Sequence, residues 1–296
     1  MTFPYNRSAE LTLKNPHFVK DLERFLLAPF QSDIEGGDLT MEAIADYDQE
    51  VIAKVVAKSD GRFCGAPLLN WFVGAVCPSC KITFRVDEGA LFQNKADLMH
   101  IKGKASEILK VERTLLNALQ RFCGIATQTA EYVKAARGCP VAATRKTLYG
   151  LLDKYAVSVG GGLTHRLNLG DAPLFKENHF ELLGRSIANL ILTIIDLPKD
   201  LPFVTIEIDS LKDLHAILKA LPKDLPWPVI LLLDNFSTTE LLHLLPSIKK
   251  PDYLLFEASG GITLENINEY AQVGVDVISV GALTHSVPGI DLSLQV

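Results

Sequence analysis

Several acidic and small residues stand where short apolar runs end, and that placement is the first sign of chemistry in this sequence. Val204-Thr-Ile-Glu207 and Leu231-Leu-Leu-Asp234 close on carboxylates, Phe256-Glu-Ala-Ser259-Gly260-Gly261 closes on a small-residue loop, and Ser279-Val280-Gly281-Ala282 ends the last run. In a parallel α/β barrel the strand C-termini form the mouth that carries the active site, so polar residues there have a functional reading that mid-helix residues lack. Two carboxylates at one mouth, Glu207 and Asp234, can hold Mg2+ or accept ribose hydroxyls. Ser259-Gly260-Gly261 and Gly281-Ala282 let backbone N–H groups approach a phosphate, with the next helix N-terminus adding positive potential. Any one of these features alone is equally an N-cap for the following helix. Four in matching positions predict a sugar phosphate with a metal.

The middle of the chain supplies cations in three clusters, each placed after an expected strand: Thr144-Arg145-Lys146-Thr147, then Gly160-Gly161-Gly162-Leu-Thr-His165-Arg166, then Lys176-Glu-Asn178-His179. Like charges gathered near a mouth repel one another unless a polyanion sits between them. Arg145 and Arg166 suit bidentate carboxylate binding, and Lys146 and Lys176 act as point charges. The bland alternative is a solvated basic rim. Arg113 reads by helical periodicity as a solvated position and nothing more.

The elements that position these residues follow from the hydrophobic pattern. Ile82, Phe84 and Val86 alternate with polar neighbours, and Gln49 to Lys58 reads as a second strand, which predicts an antiparallel sheet in the first third. From Ala105 to Ala136 apolar residues recur at three- and four-residue steps, the mark of one long amphipathic helix or two successive ones, stopped by Gly138 and Pro140. Beyond Pro140 come short apolar runs at Val141–Ala143, Tyr155–Val159, Leu174–Phe175, Leu190–Ile195, Val204–Ile208, Val229–Leu233, Tyr253–Phe256 and Val277–Val280. About seven or eight βα units without a nucleotide-fold glycine fingerprint favour a closed or nearly closed barrel over an open sheet. The fold class is α/β, and 296 residues accommodate two domains.

A net charge of -6 argues against nucleic acid or an anionic membrane surface as partner. No apolar run reaches the roughly 20 residues of a membrane span, and Met1 to Leu13 does not resemble a secretory signal, so a cytoplasmic protein is expected. The five cysteines, Cys64, Cys77, Cys80, Cys123 and Cys139, do not make a disulfide framework. Cys77-Pro-Ser-Cys80 has the spacing of half a zinc site or of a redox pair, but with no second half it reads as a structural turn.

The segments Glu112-Arg-Thr-Leu-Leu-Asn117, Thr144-Arg-Lys-Thr147, Gly160-Gly-Gly-x-x-His-Arg166, Lys176-Glu-Asn-His179, Leu232-Leu-Asp-Asn235 and Glu257-Ala-Ser-Gly-Gly261 resemble quinolinate phosphoribosyltransferases in order and spacing. Gly37-Asp-Leu-Thr40 and Asp276 to His285 fit as well. The resemblance implies an N-terminal α/β sandwich over residues 1–120, an incomplete TIM-like α/β barrel over 121–285, and a tail, 286–296, that returns to the first domain. It implies at least a homodimer in which Arg113 reaches the neighbouring site. Arg113, Thr144, Arg145, His165, Arg166 and Lys176 would bind the pyridine dicarboxylate. Lys146, Glu207, Asp234, Ser259, Gly260, Gly261, Val280, Gly281 and Ala282 would hold phosphoribosyl pyrophosphate, with Mg2+ on Glu207 and Asp234 and no organic cofactor. Lys146, Lys176, Glu207 and Asp234 form the implied catalytic set.

One departure stands out. Where the family commonly continues with a Thr-Pro-Gly-Leu-Arg type of loop, Leu148-Tyr149-Gly150-Leu151-Leu152 is shorter and lacks both proline and arginine, which predicts a looser loop. The rivals are a nicotinate-type transferase or molybdenum-associated paralogue, a paralogue that binds without turnover, and a sugar-phosphate isomerase or aldolase barrel. The number of cations argues against a monoacid substrate, intact Glu207 and Asp234 argue against lost turnover, and an isomerase would not need the arginines.

Overall fold

In a computed structural model, which describes residues 3–296, the strands in chain order are β1 (Glu50–Ala57), β2 (Gly61–Arg62), β3 (Lys81–Phe84), β4 (Leu91–Phe92), β5 (Asp97–Lys104), β6 (Val141–Ala142), β7 (Leu174–Phe175), β8 (Val204–Ile208), β9 (Val229–Asp234), β10 (Leu254–Ser259), β11 (Val277–Ser279) and β12 (Leu292–Gln295). Met1 and Thr2, the start of the expected first domain, lie outside the described residues. The chain divides into two compact units that alternate along the sequence instead of meeting at one cut. One holds residues 3–7, Glu131–Arg145 and Gly162–Gly281, and the other Ser8–Ala130, Lys146–Gly161 and Ala282–Val296.

The second of these units carries an antiparallel sheet in the order β12-β1-β5-β3, with β12 from the C-terminal segment on the edge of β1. The long periodic stretch is a single helix, Ala105–Ala135, whose Ile108, Leu115, Leu119, Phe122 and Ile125 are fully buried. Asp48 fixes its start by accepting the Ser106 N–H (3.0 Å) and hydroxyl (2.8 Å), which holds the Asp48 carboxyl below its ordinary range.

The first unit is built on a six-stranded parallel sheet in the order β6-β11-β10-β9-β8-β7. Leu163 adds a parallel bridge to Ala142 at the β6 edge, and among the described residues no ladder joins β6 to β7, so the barrel is incomplete. Two expected strands are helices: Tyr155–Val159 lies in Leu151–Val159 and Leu190–Ile195 in Ile187–Ile195. A short apolar run does not distinguish a strand from a buried helical turn. In the second case Leu190, Ile191 and Ile194 are buried while Leu192 and Ile195 are exposed, a helical stripe, and the Ser186 side chain caps the N–H of Asn189.

Register sorts the inward side chains of the parallel sheet into layers, because alternate residues of a strand share a face. Ile230 pairs with Thr205 and Leu255; Leu232 pairs with Glu207 and Glu257; Asp234 pairs with Ser259. From the N-terminal to the C-terminal ends of the strands, the layers therefore run from largely apolar to charged. Tyr5, Phe203, Ile230 and Val277 pack together in the apolar part with Ala142 and Ala172.

Candidate active site

At the charged end of the sheet, Glu207 and Asp234 line one cavity of about 410 Å³, together with Glu177, Arg185, Lys212 and Asp213. Lys176, directly after β7, extends to Glu207, with Nζ 2.5 Å from Oε2. This pairing follows from register, since Phe175 pairs with Ile206 and the next residues on each strand are neighbours. Asp234 Oδ2 accepts the Asn235 side-chain amide at 2.8 Å. Two carboxylates are a sparse donor set, which suits Mg2+, an ion that keeps waters and takes its remaining ligands from substrate phosphates.

The small-residue loop has a steric reason. Gly260 has φ +93°, and a Cβ on it would stand 2.8 Å from the Asn235 backbone nitrogen. Asn235 is itself left-handed at φ +59°, and its N–H donates to Ser259 O at 2.9 Å. The β9 and β10 ends are thus locked together, and Gly261 faces open space. The Asn266 side chain closes the loop onto Gly261 O at 3.0 Å, and the next helix begins at Ile267, six residues beyond Gly261. Val280 is buried and donates its N–H to Ala142 O at 2.9 Å, which places Gly281 just past the sheet.

The cations form a second group. Thr144 and Arg145 follow β6, with Arg145 exposed, while Arg166 is buried, its Nη1 donating to Ala172 O at 2.9 Å. Burial first, and the like charge of Arg145 second, push the Arg166 guanidinium below its usual range. The Tyr5 and Asp171 side chains act on the Arg166 guanidinium in the opposite direction. The backbone around Arg166 is braced by Asp171, which accepts Leu167 N–H at 2.8 Å and pairs with Arg7 at 3.0 Å.

His165, an expected substrate ligand, sits at φ +55° with its ring buried. The Arg166 N–H donates to Nδ1 at 2.7 Å, so the ring proton belongs on Nε2, which lies 3.5 Å from Glu257 Oε1. Glu257 is fully buried and accepts hydroxyl hydrogen bonds from Tyr5 and Ser279. Tyr5 stacks on the His165 ring with centroids 4.0 Å apart. Burial, then the Glu257 charge, raise the Tyr5 hydroxyl well above its ordinary value. Sequence reasoning assigned Tyr5 and Glu257 no role. Tyr5 lies 252 positions from Glu257 and carries no local signal. Glu257 could have been noticed as a carboxylate interrupting the apolar β10.

Arg113, Lys146 and Ala282 belong to the other unit. Arg113 is exposed on the long helix, 3.9 Å from Glu112. Lys146 has an exposed side chain, and its carbonyl accepts the Thr284 hydroxyl at 2.8 Å. The segment after Thr147 is pinned, contrary to the expectation of a loose loop. The buried Asp153 accepts the N–H groups of Leu148 (2.8 Å) and Tyr149 (3.0 Å) and both arms of Arg121 (2.8 and 2.7 Å). Asp21 accepts the Leu151 N–H at 2.7 Å beside Gly150, where φ is +56° and a side chain would collide with that carboxylate. Carboxylate acceptors do here what a proline would do by restricting φ.

Two domain models of one family match the chain: quinolinate phosphoribosyl transferase, N-terminal domain, over residues 38–123, and the C-terminal domain over 125–295. The chain belongs to the quinolinate phosphoribosyltransferase family. Among its relatives, the nicotinate-nucleotide pyrophosphorylase [carboxylating] of Mycobacterium leprae is 38% identical over 268 residues, 88% of this chain and 91% of that one. The quinolinate phosphoribosyltransferase [decarboxylating] 1b of Nicotiana tabacum is 33% identical, covering 88% of this chain and 77% of that one. The solved nicotinate-nucleotide pyrophosphorylase of Francisella tularensis superposes with a TM-score of 0.83 at 32% identity, covering 93% and 96% of the two chains. This quinolinate phosphoribosyltransferase-family chain has no helix, among the described residues, long and apolar enough to cross a membrane.

Proposed function

We infer that the chain transfers phosphoribosyl from phosphoribosyl pyrophosphate to quinolinate with loss of carbon dioxide, giving nicotinate mononucleotide and pyrophosphate in de novo NAD synthesis. The family match supports the reaction. The observation that carries its chemistry here is the set of cations next to the C-terminal ends of the sheet: Arg145 just after β6, the buried Arg166, and Lys176 just after β7, its Nζ 2.5 Å from Glu207 Oε2. A dicarboxylate can engage both guanidiniums at once, one on each carboxylate, whereas a monoacid engages one. Thr144 and Lys176 complete the reading, with Lys176 exchanging its Glu207 partner for a substrate carboxylate. His165, held by Tyr5 and Glu257, is assigned to the dicarboxylate with Arg166 by its place in the Gly160–Arg166 motif.

Ser259, Gly260 and Gly261, with Val280, Gly281 and Ala282, offer backbone N–H groups to the ribose phosphate and pyrophosphate, and Lys146 is assigned pyrophosphate by its place in the Thr144–Thr147 motif. Glu207 and Asp234 would hold Mg2+, which when bound supplies charge neutralisation to the departing pyrophosphate. The arginines hold the ring so that its nitrogen faces C1 of the ribose; positioning is the main contribution. Once that nitrogen is alkylated it draws electrons from the ring, and the adjacent carboxylate leaves without an organic cofactor. A homodimer in which Arg113 enters the neighbouring site, and a cytoplasmic location, belong to the same reading.

Arg166→Lys keeps the charge but loses the fork. Quinolinate binding by calorimetry should weaken at least about tenfold, with phosphoribosyl pyrophosphate affinity little changed. Unchanged quinolinate affinity would remove the assignment. Arg113→Ala should lower quinolinate affinity without altering the oligomer seen by light scattering. Normal affinity in that variant would refute the intersubunit role.

A further inference from the structure

The phosphoribosyl transfer makes no use of Cys77-Pro78-Ser79-Cys80, the turn between the helix Ala66–Val76 and β3. The Cys80 N–H donates to Cys77 O at 3.0 Å, which closes the turn and brings the two Cα atoms to 5.5 Å, within the span a disulfide bridges. The two sulfurs are joined. Cys77 is 3% exposed, whereas Cys80 is half-buried and follows two exposed residues, so Cys80 is the sulfur that a solvent reagent meets first. On β5, Gly103 makes room for it: a Cβ there would stand 2.6 Å from Cys80 Sγ. Glu107, in the first turn of the long helix, accepts the Ser79 hydroxyl at 2.5 Å, and the same oxygen lies 3.9 Å from Cys80 Sγ.

We propose that Cys77 and Cys80 form a reversible dithiol–disulfide site that exchanges with low-molecular-weight disulfides, entered through Cys80. In the oxidising direction the Cys80 thiolate attacks one sulfur of the external disulfide and expels one thiolate, leaving a mixed disulfide on Cys80. Cys77 loses its proton to solvent, attacks Cys80 Sγ and expels the second thiolate. Two electrons pass from the protein to the external disulfide, which leaves as two thiols. Glu107 biases the site: its negative charge opposes a thiolate on Cys80 but not the uncharged bonded pair, so the bonded state is favoured and exchange is slower than at a free surface cysteine. The remaining cysteines serve as internal controls. Cys64 and Cys123 are fully buried, and burial pushes the Cys123 thiol up to about 12 and the Cys139 thiol up to about 11.

Cys77, Cys80 and Glu107 also place three donor atoms within 4.8 Å of one another, the spacing of a thiolate-rich metal site. The joined sulfurs and the use of Glu107 by Ser79 favour the redox reading, and zinc capture is one outcome of the test.

The full-length protein would be equilibrated over a series of reduced-to-oxidised glutathione ratios, quenched in acid, alkylated and mapped by peptide mass spectrometry. The expected result is the joint loss of two alkylatable thiols, Cys77 and Cys80, reversed by dithiothreitol, with Cys64 and Cys123 unchanged. Cys77→Ser should accumulate a stable glutathione adduct on Cys80, while Cys80→Ser leaves Cys77 unmodified; turnover by each variant verifies that it is folded. The proposal is overturned if both thiols stay alkylatable in oxidised glutathione alone, or if Cys77 takes the adduct as readily as Cys80. It is equally overturned if the reduced protein binds one zinc ion that protects the pair from oxidation and is lost in Glu107→Gln.

Discussion

Tyr5→Phe removes one oxygen atom from the buried group of Tyr5, His165 and Glu257 and leaves the ring in place. The ring keeps its 4.0 Å stack on His165 and its 4.7 Å edge contact with Phe203. What is lost is the hydrogen bond to the fully buried Glu257 and the neighbourhood of Thr205 Oγ1 at 3.3 Å. A hydrogen bond to a charged group contributes about 1.5–3 kcal/mol, and here the remaining partner cannot turn to water. Urea unfolding at pH 8 should therefore show a loss of about 2 kcal/mol, with the midpoint lowered and the slope unchanged.

Raising the pH adds a second arm to the same assay. The Tyr5 hydroxyl is raised in the folded protein, so its contribution is fully present below the unfolded value of about 10. It is lost as pH climbs from there through the folded value, at up to about 1.4 kcal/mol per pH unit. The phenylalanine variant lacks this dependence, so the stability gap between the two proteins should narrow between about pH 10 and 11. Tyr155, Tyr253 and Tyr270 are also raised, chiefly by burial, but they titrate in both proteins and cancel in the difference. A gap below about 0.5 kcal/mol at pH 8 would mean that the Tyr5 hydroxyl does not support Glu257, because surface-like substitutions fall in that range. So would a gap that stays constant through pH 11.

Asp153→Ala strips the carboxylate that binds Arg121 and two backbone amides, and breaking a buried pair from one side costs about 3–5 kcal/mol. Thermal unfolding should show the loss, and limited proteolysis should begin to cut near Tyr149; an unaltered digestion pattern would mean the loop is held by something else. Gly260→Ala forces a Cβ against the Asn235 nitrogen at a φ that disfavours side chains. Steady-state kinetics should show KM for phosphoribosyl pyrophosphate rising about tenfold or more while quinolinate KM moves little, the signature of lost uniform binding to one substrate. Equal KM values for mutant and parent would separate that glycine from phosphate binding.

The parts of the architecture that repeat locally were legible in the chain. The helix Ala105–Ala135 announces itself because its stripe persists over its whole length; Asp234 ends β9 as its apolar run implies, and Glu207 is the penultimate residue of β8, one position before the buried Ile208. Tyr155–Val159 and Leu190–Ile195 were misread as strands because runs of that length carry no usable period. The pinning of the loop after Thr147 depends on Asp21 and Arg121, which are remote in sequence, so a missing proline could only be read as missing stiffness. Tyr5 was invisible for the same reason, since it lies 252 positions from Glu257 and on no strand, whereas Glu257 left one trace as a carboxylate within the apolar β10. The pairing of Lys176 with Glu207 cuts across the assignment of those residues to separate ligands and follows only from strand register.

Direct turnover tests the reaction. Purified protein would be mixed with phosphoribosyl pyrophosphate, Mg2+ and either quinolinate or nicotinate, following nicotinate mononucleotide together with released carbon dioxide. Quinolinate should give mononucleotide and carbon dioxide in equal amounts, and nicotinate no product. Mononucleotide from nicotinate alone, or quinolinate bound without turnover, would contradict that reaction.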